Sequence, residues 1–112
     1  MSTVTVSEYE AGVAPAIDTH PDPILKARAF LRVRGEHPSI HEVIIYFLDE
    51  ETPPPLPKLE DGRGFLFAPR WQYPLFLDLL RHEKQVTCKF VADQLSSGLV
   101  SSQARRVIEE GD

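Results

Sequence analysis

The sequence predicts an α+β domain: a single mainly antiparallel sheet of about five strands with one helix packed on it, in the order β-β-β-α-β-β. Three observations lead to this prediction. Apolar and polar residues alternate over residues 25–34 and again over 85–92, which is the period of a half-buried strand. A continuous apolar run covers 43–48, and only residues 74–84 combine helical apolar spacing with a proline at the start.

The composition fits one small globular domain. The chain has 112 residues, 42% of them hydrophobic, and a net charge of −5. A chain of this length buries enough surface to fold without disulfides or metal, and the single cysteine, Cys88, excludes an internal disulfide. The ten prolines are an excess, and they concentrate near the N-terminus and in one loop.

We expect residues 1–23 to form a flexible N-terminal arm, because they are polar and acidic and contain three prolines. Thr3–Val6 have the composition of an edge strand, which is the alternative for this segment. The folded domain is then expected to span residues 24–108, with a short tail at 109–112.

The first strand is predicted at residues 25–34. Apolar residues occupy every second position, and basic residues fill most of the others. Asp22-Pro23 resembles a helix start, and Gly35 a helix end. A helix would scatter the arginines around its circumference, so the alternation favours a strand.

Residues 40–48 fit two structures. Val43–Phe47 are strong strand formers, but the apolar spacing also matches a helical face, and Ser39 with Glu42 fits a capping box. A helix would expose Ile45 and Tyr46, whereas a strand covered on both faces would not. We therefore predict a central strand.

The remaining elements follow from local punctuation. Residues 50–64 are predicted to be a loop, because four prolines lie within 53–57 and Asp61-Gly62 marks a turn. A short strand is expected at 65–67, ended by Pro69. The helix over 74–84 is followed by a strand over 85–92, a turn at 96–98 and a polar edge strand over 99–108.

The sequence offers little support for catalysis, for a metal or for a cofactor. His37 and His41 are four residues apart, but Pro38 and the predicted turn argue against a shared helical face, so we predict no metal site. Gly62-Arg63-Gly64 precedes a strand and lacks the P-loop lysine. A dyad of Cys88 and His82 is the only enzymatic alternative, and Cys88 falls on the apolar side of its strand.

A basic stripe is the most distinctive surface that the sequence predicts. Its cations are expected on one strand face around an aromatic residue: Lys26, Arg28, Arg32 and Arg34, with Phe30 between them. Such a face can hold single-stranded nucleic acid or another polyanion. Glu42 and Asp49 on a neighbouring strand offer internal compensation instead, which we favour.

Two other segments present contact chemistry. Trp71 and Tyr73 precede the helix, and they serve equally well as an interface or as a plug over the core. The Pro54–Pro57 segment resembles a polyproline ligand, although a rigid insertion is the simpler interpretation.

We therefore predict a small non-catalytic binding or protein-interaction module whose partner is another protein or a second copy bound through an edge strand. Nucleic-acid or polyanion binding on the basic stripe is the alternative, and an enzyme using Cys88 and His82 is a weaker one. The N-terminus has neither the basic nor the apolar region of a signal peptide, and no apolar run is long enough to cross a membrane. We expect a cytoplasmic protein.

Overall fold

A computed structural model of the chain describes residues 2–19, 24–49, 54–82, 85–90 and 98–101. Within these residues, seven strands form one sheet and a single α-helix follows the fifth strand. The strands are β1 (Ser2–Asp18), β2 (Lys26–Glu36), β3 (Glu42–Leu48), β4 (Lys58–Glu60), β5 (Arg63–Pro69), β6 (Val86–Phe90) and β7 (Gly98–Ser101). A 3-10 turn, Arg70–Gln72, leads into helix α1, Tyr73–His82.

The sheet has the order β4-β5-β3-β2-β1-β6-β7. All its neighbouring strands are antiparallel except β3 and β5, which are parallel. The α+β class, with one sheet and one packed helix, is therefore confirmed. The predicted strand count and order are wrong, because two strands were missed and the chain runs through five strands before its helix.

The N-terminal segment is the largest correction. Residues predicted to be a flexible arm form β1, which pairs with β2 from Thr5–Glu36 to Asp18–Lys26 and with β6 at Ser2–Thr5. The low apolar content of this segment gives no sequence signal for a buried strand. The strand is held in place by its pairing with two neighbouring strands, β2 and β6. The alternative of a strand beginning near Thr3 is closer to the structure.

The predicted loop over 50–64 contains the other missed strand. Asp61 and Gly62 both have positive φ, 52° and 78°, so they form a two-residue hairpin turn between β4 and β5. The predicted turn is confirmed, and the sequence signal for a hairpin was present. The short strand predicted at 65–67 extends over Arg63–Pro69.

The central strand β3 is buried along its whole length, which confirms the strand predicted within 40–48. Its side chains alternate between two clusters. The inner face carries Val43, Ile45 and Phe47, against which α1 packs. The outer face carries Ile44, Tyr46 and Leu48, together with aromatic residues of β5. A strand apolar on both sides is explained by this double burial.

Helix α1 covers the inner face near β3. The Phe47 ring meets Tyr73 and Phe76 edge to face, with ring centroids 5.1 and 5.4 Å apart. The helix begins one residue earlier than predicted, and its predicted last residues, 83–84, lie outside the described residues. The sheet also curls: a Cβ on Gly64 of β5 would lie 2.8 Å from the ring of Phe90 on β6, although three strands separate them in the sheet.

The C-terminal elements agree with the sequence in part. β6 alternates between buried and half-buried residues, and β7 pairs with it as an edge strand. The remainder of the predicted last strand, the turn residues 96–97 and the tail at 109–112 lie outside the described residues. No helix in the described ranges has the length and apolar character needed to cross a membrane.

Candidate functional site

The basic stripe is paired with carboxylates from the same chain. Arg32 Nη1 lies 3.1 Å from Glu10 Oε1, and Arg34 Nη1 lies 3.8 Å from Glu8 Oε1. Lys26 bonds to Asp18. These acidic partners come from β1, in the segment predicted to be a flexible arm.

Glu42 is the centre of the paired region. Its carboxylate lies 3.2 Å from Arg34 Nε, 3.2 Å from Arg63 Nε and 3.7 Å from Arg32 Nε. Glu42 itself is only 8% exposed. The expected compensation of the stripe by Glu42 is therefore present, and it includes an arginine of β5 that the sequence did not bring to this place.

The stripe is also not one straight row. A register irregularity between Ala27 and Ala29 interrupts the alternation, so Ala27 belongs to the outer cluster and Ala29 to the inner one. Phe30 packs against the outer cluster. Its ring lies directly over Gly12, where an added Cβ would come within 2.2 Å of Phe30 Cε1. Arg28 is thereby separated from Arg32 and Arg34.

Arg28 has a different environment. Its Nη2 lies 3.2 Å from Asp49 Oδ2, as expected from the sequence, but Arg70 Nη1 approaches the other oxygen of the same carboxylate at 3.9 Å. The two guanidinium groups share one carboxylate, and both side chains are about half exposed. This is a local excess of positive charge on a chain that is acidic overall.

Arg28 and Arg70 line a groove of about 810 Å³ between the end of β1, the start of β2 and the 3-10 turn. Its other principal lining residues are apolar or aromatic: Val13, Pro15, Trp71 and Tyr73. The volume lies within the range of small-molecule and cofactor sites. The structure therefore brings three of the predicted binding residues together: Arg28, Trp71 and Tyr73. Of the others, Lys26, Arg32 and Arg34 are paired with carboxylates, and Phe30 packs on the outer cluster.

Trp71 and Tyr73 were each predicted to be either an interface residue or a plug over the core, and the structure gives them different environments. Tyr73 is half-buried and packs on Phe47, so it closes the end of the core. Trp71 is 57% exposed, because the 3-10 turn after Pro69 points it away from the core. Val13, on the opposite strand of the groove, is 72% exposed. Two large apolar side chains thus remain open to solvent in one place.

The groove lies beside an open strand edge. β6 pairs with β1 only at Ser2–Thr5, while β2 pairs with β1 from Thr5–Glu36 to Asp18–Lys26. In the described part of the chain, no strand lies on the other side of Glu8–Val13. These six residues pair regularly with Ala29–Arg34, and a register irregularity bounds them at each end.

Cys88 and His82, the two residues of the predicted dyad, lie in different environments: the cysteine is buried and the histidine is exposed. Cys88 is fully buried in the inner cluster, and burial raises the pKa of its thiol to about 12. A thiol in this state is protonated at neutral pH and is a poor nucleophile. The imidazole of His82 lies at the exposed end of α1, with Nε2 3.2 Å from Asp78 Oδ1. This arrangement argues against a dyad.

His37 and His41 make hydrogen bonds close to two turns of the chain. His37 Nδ1 accepts hydrogen bonds from the backbone N–H groups of Ser39 and Ile40, at 3.0 and 2.9 Å, in the turn between β2 and β3. His41 donates its backbone N–H to the carbonyl of Gly62. Among the residues that the structure describes, no group of histidine, cysteine and carboxylate side chains is arranged to hold a metal ion.

The proline segment packs partly on its own domain. Pro57 is buried, and Pro54 and Pro57 line a cavity of about 150 Å³ with residues of β3 and β5. Leu56 remains 44% exposed. This packing favours a rigid insertion over a free polyproline ligand.

Sequence reasoning missed three parts of the site: Arg70, Val13 and the open edge of β1. Arg70 stands next to Trp71, and interface centres favour that pair of residue types, so this signal was available. Val13 and the edge depend on β1 being a strand. No family model matches the chain, and neither a curated protein nor a solved structure matches it.

Proposed function

We propose that this chain is a non-catalytic protein-interaction module that holds a segment of another polypeptide in the groove beside Trp71. The observation that carries the proposal is the exposure of this tryptophan next to Val13, in a groove that also contains two arginines. Large exposed apolar side chains gathered in one concave surface mark interaction sites.

The residue types suit a protein partner. Tryptophan, tyrosine and arginine are the side chains that most often contribute strongly to binding at protein interfaces. Tyr73 is anchored on Phe47, so the wall of the groove is preformed. A partner then loses less free energy in ordering the site.

The charge of the groove selects among partner segments. Arg28 and Arg70 share the carboxylate of Asp49, so a second carboxylate next to an apolar side chain would balance the pair. A bidentate contact of arginine with carboxylate also fixes orientation. We therefore expect the bound segment to combine one acidic residue with aromatic or aliphatic residues.

The polyanion alternative has less support. Arg32 and Arg34 already face Glu8, Glu10 and Glu42, so a nucleic acid would have to displace internal ion pairs. The overall charge of −5 opposes it further. The enzymatic alternative is weakened by the burial of Cys88.

The test uses a random peptide library displayed on phage and selected on the purified chain. We expect enrichment of acidic-apolar peptides, and we expect Trp71→Ala to weaken their binding by roughly thirtyfold, the effect of removing a strong interface residue. Leu59→Ala is the matched control, because Leu59 is 51% exposed but lies on β4 at the far edge of the sheet.

Trp71 also supplies an independent signal, because it is the only tryptophan in the chain. When a selected peptide that lacks tryptophan covers the Trp71 ring, the fluorescence emission of Trp71 is expected to shift to shorter wavelength. A library without enriched peptides, or peptides that bind the Trp71→Ala variant as tightly as the wild type, would contradict the proposal.

A further inference from the structure

We infer that the bound segment docks as an added β-strand along Glu8–Val13 of β1 and places a carboxylate on Arg28 and Arg70. This inference rests on the proposed function and names its binding mode. Strand addition at an open sheet edge is a general way to bind an extended peptide, in which backbone hydrogen bonds supply affinity and alternate side chains supply specificity.

The first argument is the geometry of the edge. In the described residues, β6 leaves β1 after Thr5, and the ladder with β2 uses only one side of Glu8–Val13. The N–H and C=O groups of every second residue in this stretch therefore point away from β2, toward a side on which the described residues place no strand. Six residues span about 20 Å, which is the length of an ordinary strand.

The second argument is that the edge carries few of the usual protective features. Natural edge strands are commonly shielded by charges, prolines or bulges. Here Glu8 and Glu10 turn to the outer face, where they meet Arg34 and Arg32. Pro15 and the two register irregularities lie outside the six residues, so they limit the length of a docked strand and do not block it.

The third argument is the chemistry of the inner face along this edge. Tyr9, Ala11 and Val13 share the face on which α1 packs, because they pair with inner-face residues of β2, yet all three are exposed. A strand added next to β1 would lie about 4.8 Å away and place alternate side chains on the same face. Near Val13 those side chains reach the groove and Trp71.

The charge at the end of the groove supplies the last element. Arg28 and Arg70 have one carboxylate between them, and both line the groove beside Val13. An acidic residue near one end of the docked strand completes the pair. In a second copy of this chain, Glu8 and Glu10 of β1 already face that copy's own arginines, so the proposed occupant is an acidic-apolar peptide segment of a different protein.

The experiment uses the full chain and the tightest peptide from the library selection. A set of variants of that peptide carries a single backbone N-methyl group at each position in turn, and binding is measured by fluorescence anisotropy. Methylation removes one N–H donor and clashes with a neighbouring strand. We expect losses of about tenfold or more at every second position and small effects at the positions between them.

Charge is tested with matched variants. Replacing the acidic residue of the peptide by its amide, and Arg70→Gln in the protein, are each expected to weaken binding by about tenfold and to show little further loss when combined. Arg81→Gln is the control, because Arg81 is an exposed arginine in the last turn of α1, outside the groove.

The outcomes separate the two proposals. N-methyl effects without a period of two, with Trp71 still required, overturn strand addition and leave the interaction module standing. A selection without any peptide overturns both. Sedimentation velocity and hydrogen exchange of the protein alone test the other occupant. A dimer that protects the amides of Glu8–Val13 and resists the peptide assigns the edge to a second copy and overturns this inference.

Discussion

Substituting Glu42, the first residue of β3, by glutamine is expected to lower the free energy of unfolding more than the loss of an exposed charge does. The Glu42 side chain is 11% exposed, and its carboxylate lies within 3.2–3.7 Å of the Nε atoms of three arginines. Arg32 Nε is buried and has no hydrogen-bond partner in the described residues. Loss of the charge removes the one carboxylate that all three guanidinium groups share.

The magnitude follows from the mixed exposure of the cluster. One charge pair at this separation is worth about 4 kcal/mol at an effective dielectric constant of 20, and removing one partner of a fully buried pair costs about 3–5 kcal/mol. The arginine side chains are 34–60% exposed, so solvent screens them and relaxes part of the loss. We expect a decrease of about 2–3 kcal/mol in the free energy of unfolding. The Tm is lowered by roughly 10 °C.

The assay is urea denaturation followed by circular dichroism, because urea does not screen charge. Glu10→Gln is the matched control: this carboxylate is 58% exposed and has one close arginine, so about 0.5 kcal/mol is expected. Equal losses for the two variants, or a loss below about 0.5 kcal/mol for Glu42→Gln, would refute the role of Glu42 as the centre of the cluster.

Two further predictions concern burial and backbone conformation. Burial raises the pKa of Cys88 from 9.0 to about 12, so the folded state disfavours the thiolate and loses stability between these pH values. In urea titrations the free energy of unfolding is expected to fall with pH by up to about 1.4 kcal/mol per unit more in the wild type than in Cys88→Ala, and equal slopes would refute this. Gly62→Ala is expected to cost about 1–2 kcal/mol, because φ is +78° and the new Cβ would lie 2.5 Å from His41 Cδ2. Gly98→Ala is the control in thermal denaturation, because no atom of the described residues lies within 4 Å of its new Cβ. A similar loss in both variants would contradict the strain argument.

Local signals predicted the central strands well. Alternation over 25–34 and the apolar run over 43–48 report burial on one face and on two faces, and burial is what β2 and β3 have in the structure. The Asp61-Gly62 turn was also readable, but the prolines before it obscured the short strand β4. These features depend on neighbours only a few residues away.

The strand β1 shows where local signals end. Its residues are mostly polar. Glu8 and Glu10 of this strand pair with arginines of β2 that lie more than twenty residues away in the chain. The parallel pairing of β3 with β5 is equally non-local, because the intervening chain returns to the far side of β3. A pattern read along the chain does not report such pairings.

The candidate site follows the same division. The sequence by itself determined the chemistry that is available: the arginines of β2, the aromatic residues before the helix and the absence of a disulfide. Only the tertiary structure decided which of these groups meet. It pairs Arg32 and Arg34 with carboxylates of β1 and β3, and it leaves Arg28 beside Arg70 and Trp71 in an open groove. The physical reason is that exposure and charge balance are set by strand order and register, which join segments distant in the chain.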